Sequence, residues 1–231
     1  MSQLIRDDLL QIRTPIVNFY VLRDHRGLYL IDCGFAGGRQ LLKQALQNRG
    51  WDREPIVGII VTHGHLDHIL NVGLMAQETG AWVAAPRLDS AHYNGNATYR
   101  GFTQVTGLLE AIGKPLLNFQ PFTPTRLLDH GEQLDIWHGL QVVHLPGHTV
   151  GHSGFYCEQL RLLFSADLFA SYGSLSHLPP RIFNSEEKLV SKSISTALDL
   201  DLEVVLPNHC DTAQPEEHYK RLVRLEENMS T

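Results

Sequence analysis

The stretch Val61-Thr62-His63-Gly64-His65-Leu66-Asp67-His68 constrains this chain more than any other. It closes the apolar run 56–61 and leads into Ile69-Leu70-Asn71-Val72-Gly73-Leu74. Three imidazoles and one carboxylate fall within six positions, separated only by Gly64 and Leu66. Neutral imidazole and carboxylate are ligand types that Zn, Mn, Fe and Co accept. A buried strand that stops and turns into a helix converges such side chains from one short loop. The alternative, a surface loop that happens to be His-rich, fits poorly with this packing directly after a buried strand.

Length allows one large domain or two small ones with a sizeable core, since the chain has 231 residues. With 19 basic against 25 acidic residues the net charge is −6, which gives no reason to expect a nucleic-acid partner. Cys33, Cys157 and Cys210 are odd in number, widely spaced and form no CxxC, which argues against a disulfide framework and for a reduced, cytoplasmic setting. The first residues carry charges instead of a signal-peptide core, and no apolar run approaches about 18 residues. Neither secretion nor a membrane span is expected.

Along the chain, residues 4–32 read as strands with a turn at Asp24-His25-Arg26-Gly27, and Gly37-Gly38 opens a helix that Gly50 closes. After the strand 56–61, one helix is expected from Asp67 to about Thr79, then a strand at Trp82-Val83-Ala84-Ala85. Phe102, Val105, Leu108, Leu109 and Ile112 have helical spacing, and Gly113-Lys114-Pro115 is expected to end that helix. This inserted segment could cover a site, form a homodimer contact across 98–118, or simply connect. Strands follow at 133–137, 140–145, 153–156, 160–165 and 203–206, with helices at 185–200 and 216–227. Leu189, Ile194 and Leu198 are expected to face inward. The pattern is one domain, 1–231, of mixed sheets with helices packed on them, in two topologically similar halves of about 1–124 and 125–231.

Three more ligand types stand just after expected strands: His148 in Leu145-Pro146-Gly147-His148, Asp167 in Ser165-Ala166-Asp167 and His209 in Pro207-Asn208-His209. Strand ends are where loops bring distant residues together on a rigid frame. A lone His after a strand is usually a satisfied loop residue; the whole ordered set is not.

The set His63-x-His65-x-Asp67-His68, then His148, Asp167 and His209, resembles the metallo-β-lactamase-fold superfamily. Asp32 in Leu30-Ile31-Asp32-Cys33-Gly34 is similar to that superfamily's early Asp. The resemblance covers nearly the whole chain and implies a four-layer αββα sandwich of the α/β class with a dinuclear site at one edge. It implies that His63, His65 and His148 hold one metal, that Asp67, His68 and His209 hold the other, and that Asp167 bridges them. Asp32 would hold the metal loop from outside the ligand set. Two divalent ions are implied, Zn foremost, with Fe or Mn fitting the same ligands. The metal loop is similar to the glyoxalase II, lactonase and ribonuclease Z branches. Many clinical β-lactamases differ, with a Cys where this chain has Asp167.

Metal binding lowers the pKa of a bound water from about 15.7 to about 7, so hydroxide is available at neutral pH. The expected reaction is hydrolysis of a small ester, thioester or lactone by that hydroxide, with Asp67 as the catalytic group that orients it and takes its proton. Cys210 reads as a buried structural thiol, His144 and His152 as loop-stabilising groups, and His25, His130 and His138 as solvated turn residues. Substrate is less legible. Glyoxalase II carries an added basic helical region, whereas this chain ends about twenty residues after His209. Lactonases of acyl-homoserine lactones place a Tyr where this chain has Ala170, with Tyr172 two residues on. Ribonuclease Z uses a basic arm that the acidic balance does not support. The alternatives are a mononuclear iron sulfur dioxygenase, against which the complete second ligand set argues, and a phosphodiesterase of the same fold. A non-catalytic relative would have lost ligands, and all seven are present. Tyr172, His177 and Arg181, in the loop 171–183, are the substrate-contact candidates; Arg181 suits a carboxylate or phosphate, or equally a structural salt bridge.

Overall fold

The apolar-rich first thirty residues become four antiparallel strands: β1 (Ser2–Arg6), β2 (Leu9–Arg13), β3 (Asn18–Asp24) and β4 (Gly27–Ile31), each bonded to the one before. The computed structural model describes residues 2–173 and 175–230. It divides into two units, Met1–Thr98 with Leu108–Leu127, and Tyr99–Gly107 with Leu128–Thr231.

In the first unit β4 leads through α1 (Gly38–Arg49) to β5 (Ile56–Ile60), which pairs parallel to β4. The metal loop follows, then α2 (Leu66–Ile69), α3 (Val72–Thr79), β6 (Trp82–Pro86), α4 (Ser90–Tyr93), the part of α5 (Gln104–Leu116) from Leu108 onward, and β7 (Arg126–Leu128). The seven strands lie in sequence order in one mixed sheet. Its core joins Phe19, Val21, Leu30, Ile59 and Val61 to Leu42 of α1 and Met75 of α3.

Two expectations for this unit need correction. The helix after the metal loop is not continuous to Thr79 but breaks at Leu70-Asn71, between α2 and α3. The Asn71 side-chain amide is the physical reason. Its nitrogen donates to the carbonyls of Cys33, Gly34 and Phe35 at 3.0, 3.1 and 2.9 Å, pinning the chain to the loop after β4. Nor does Gly113-Lys114-Pro115 end α5, which runs on to Leu116. The turn closes past the proline through Leu117 N–H to Gly113 O and Phe119 N–H to Lys114 O, both 2.9 Å. Gly113 serves packing instead: a Cβ there would stand 3.1 Å from Leu66 Cδ2.

The second unit holds β8 (Gln133–Leu134), β9 (Leu140–His144), β10 (Ser153–Cys157), β11 (Leu162–Ala166), β12 (Ala170–Tyr172), β13 (Leu175–His177), α6 (Glu187–Leu198), β14 (Val204–Pro207) and α7 (Pro215–Ser230). One sheet runs β14-β11-β10-β9-β8, with β11 and β14 parallel, and β12 and β13 form a separate hairpin. The strand expected over 133–137 stops at Leu134, because Trp137 takes φ 53° and the chain turns by Gly139 N–H to Ile136 O at 2.8 Å. On α6 the buried apolar positions are Val190, Ile194 and Ala197; Leu198 packs at the rim, and Leu189 is only half-buried. Among the described residues, no helix is long and apolar enough to cross a membrane.

Candidate metal centre

In the first unit the site is built outward from Asp32. This residue directly follows β4 with φ 60° and is fully buried. Its Oδ1 accepts the Thr62 backbone N–H at 2.8 Å, and its Oδ2 accepts the Thr62 hydroxyl at 2.7 Å and His68 Nδ1–H at 2.9 Å. The Thr62 hydroxyl proton is therefore committed to Asp32, so Thr62 Oγ1 accepts from His63 Nδ1 at 3.0 Å. One buried carboxylate thus sets the tautomer of two rings, directly for His68 and through Thr62 for His63. In each ring Nε2 becomes the lone-pair nitrogen that a metal would meet. The His63 ring lies 4.1 Å from that of His68 and 5.0 Å from that of His65. Asp67 Oδ2 stands 3.6 Å from His68 Nε2, on a side chain 26% exposed. Cys33, next along, is fully buried; burial and then the Asp32 charge push its thiol pKa well up, so it is an inert packing group.

In the second unit His148 sits in the loop after β9. Gly147 has φ 130° and passes so close to α6 that a Cβ would fall 2.5 Å from the Val190 nitrogen. Asn184 donates its amide to Pro179 O at 2.8 Å, which turns its Oδ1 onto His148 Nδ1 at 3.0 Å. His148 Nε2 then faces Asp167 Oδ2 at 3.3 Å, and His209 Nε2 reaches the same oxygen at 3.1 Å. Asp167 follows Ala166, which takes φ 49° at the end of β11. Its backbone N–H donates to His152 Nε2 at 3.1 Å, while His152 Nδ1–H donates to Leu145 O at 2.8 Å. His209 is held through its carbonyl by Ser171 N–H at 2.9 Å, and Ser171 bonds His218 Nδ1 at 2.8 Å. Nearby, burial opposes the charge of Asp211, but bonds from the Gly173 and Ala213 N–H groups and from Arg221 outweigh it and bring the pKa down to about 2.

The other sequence candidates are placed as follows. His144 bonds Val150 O across its loop at 2.8 Å, and the buried Cys210 thiol donates to Pro207 O at 3.2 Å. Tyr172 is exposed at the end of β12, and His177 bonds Leu178 O at 2.9 Å. Arg181 pairs with Glu187 at 2.7 Å and lies 5.0 Å over the Phe102 ring. His25 and His130 are exposed, but His138 is half-buried, edge-on to Trp137 at 4.7 Å, because its turn folds back onto that ring. Sequence reasoning missed Thr62, Asp89, Glu110 and Asn184 as supports. Each reads as an ordinary strand, turn or helix residue, and only the fold reveals its partner.

The donor chemistry suits divalent transition metals. Each unit offers imidazoles and carboxylate close together: His63, His65, Asp67 and His68 in the first, His148, Asp167 and His209 in the second. Residues 12–209 match the family model of the metallo-beta-lactamase superfamily. The chain belongs to that superfamily.

Among relatives of this superfamily member, the hydroxyacylglutathione hydrolase of Rhodobacter capsulatus is 28% identical over 151 residues, 64% of this chain and 47% of that protein. The chain spans about half to two thirds of the length of such curated relatives. The metallo-beta-lactamase family protein TTHA1429 of Thermus thermophilus superposes with a TM-score of 0.76 at 22% identity, over 98% of this chain and 81% of that one. TTHA1623 in a di-iron-bound form gives 0.65 at 24% identity, over 90% and 95%. These structures establish the fold, which is the class that the motif set implies.

Proposed function

We propose that this chain is a dinuclear metal-dependent hydrolase of a small ester, thioester or lactone. His63, His65 and His148 would hold one ion, Asp67, His68 and His209 the other, with Asp167 between them. The observation that carries this reading is Asp167 Oδ2, faced by the Nε2 atoms of His148 and His209 at 3.3 and 3.1 Å. A carboxylate oxygen so placed suits a bridge between two cations. Bound metal would supply a Lewis acid and an ionised water at neutral pH.

The chain's own groups supply the rest. Asp32 and Thr62 fix the orientation and tautomer of His68 and His63, and Asn184 does the same for His148. Burial of His63, His65 and His148 keeps bulk water from competing for their nitrogens. Asp67, partly exposed beside His68, would orient the attacking water and take its proton. Zn is the metal we favour, with Fe or Mn as the other fits. The similarity to the Rhodobacter hydroxyacylglutathione hydrolase supports screening acyl-glutathione thioesters first.

Elemental analysis of protein purified without chelator tests the metal reading: about two Zn or Mn per chain supports it, and one Fe per chain moves the sulfur dioxygenase to the front. Asp67→Asn should lower kcat by about 10²–10⁴, and His65→Ala should abolish hydrolysis, both with unchanged circular dichroism. Full activity in either variant sinks the mechanism.

A further inference from the structure

We infer that the segment between β6 and β7 is a clamp on the metal loop, in which Asp89 and Glu110 grip the backbone on either side of His65 and position that ligand. The inference rests on the reading of His65 as a metal ligand. Gly64 N–H donates to Asp89 Oδ2 at 2.8 Å, and Leu66 N–H donates to Glu110 Oε1 at 3.1 Å. The carboxylates come from 25 and 44 residues away, on different elements, and are only 1% and 5% exposed. Two independent side chains meet the two amides that flank one residue.

The local chemistry explains why outside help is needed. Leu66 begins α2, and the first N–H groups of a helix have no carbonyl partner within it. The residue before it usually caps them with a short Ser, Thr, Asp or Asn side chain. Here that residue is His65, and an imidazole given to a metal cannot also cap. Glu110 supplies the acceptor from α5 instead. It is itself held one turn along by Lys114 at 2.9 Å.

A third contact closes the grip. A Cβ on Gly64 would stand 2.3 Å from His92 Cβ, so α4 lies directly against the loop. The His92 ring is edge-on to that of His65 at 6.1 Å. Asp89 holds the His63–Gly64 peptide plane and Glu110 the His65–Leu66 plane, which leaves the backbone that carries the His65 side chain little freedom to turn. A ligand so preorganised binds its ion more tightly.

The test compares the full-length wild type with Asp89→Ala, Glu110→Ala, Asp89→Asn and Glu110→Gln, the last two keeping an acceptor oxygen. Zn affinity is measured by competition with a chromogenic chelator, and exchange of the Gly64 and Leu66 amides is followed by NMR in metal-free protein. The Ala variants should bind Zn about 10–100-fold more weakly, with rapid exchange at the amide that lost its acceptor, and Asn and Gln should restore most of both. Folded Ala variants with wild-type Zn affinity overturn the clamp. So does a wild type whose two amides exchange as fast as exposed loop amides, a measurement that needs no variant to fold. Protected amides in a wild type that binds no Zn would overturn the metal-centre reading itself, and the positioning role with it.

Discussion

A buried carboxylate persists only where its oxygens are used, and Asp32 uses both, accepting from Thr62 twice and from His68 once. Its position could be read in the sequence from the Leu30-Ile31-Asp32-Cys33-Gly34 stretch. The relay through Thr62 could not, because a threonine after a buried strand looks like any β-branched residue. Asp32→Ala should leave buried donors unsatisfied at a cost of about 1–3 kcal/mol each, seen as a lower urea midpoint. Weaker Zn binding should accompany it, since His63 and His68 would lose the partner that selects their tautomer. An unchanged midpoint with unchanged Zn affinity would show that Asp32 organises nothing.

At the scale of elements, glycines separate what was legible from what was not. Gly50 ends α1 with φ of 71°, as the helix-stop signal in the sequence suggested, and Gly80 ends α3 in the same way with φ of 73°. Gly73 gives no such signal, because it lies inside α3, where alanine would be favoured by about 1 kcal/mol on helix propensity alone. Its neighbour decides otherwise: a Cβ there would stand 2.3 Å from the Gln120 carbonyl oxygen, which is backbone and cannot rotate away. Gly73→Ala should therefore destabilise by about 1–3 kcal/mol, against the propensity gain. A thermal melt settles the sign, and a raised Tm would refute the packing argument. The break at Asn71 has the same origin, since contacts far along the chain outweigh local preference.

At the scale of the whole molecule, α5 carries a second feature beyond Glu110. Leu108, Leu109, Ile112 and Leu116 stand on it 63%, 55%, 53% and 77% exposed. We propose that a second copy of the chain covers this stripe. The stripe carries no charge, and Glu110 and Lys114 of the same helix pair with each other, so a two-fold contact sets no like charges against one another. Sedimentation equilibrium should give a dimer that Leu109→Glu converts to monomer. A wild-type monomer at high concentration would leave the stripe for an apolar partner of another kind and refute the homodimer.

The sequence alone determined the residues that could bind metal and the strand ends that present them, because ligand chemistry and β-strand burial are local properties written in residue type and spacing. It also carried the family, through a set of motifs ordered along most of the chain. Tertiary structure decided how those ligands are held: the tautomers of His63, His68 and His148, the backbone around His65, and the N–H that anchors Asp167. A hydrogen-bond partner 25, 36 or 44 residues away leaves no periodicity for a sequence to show. It exists only once the chain has folded and burial has made every unpaired polar group costly.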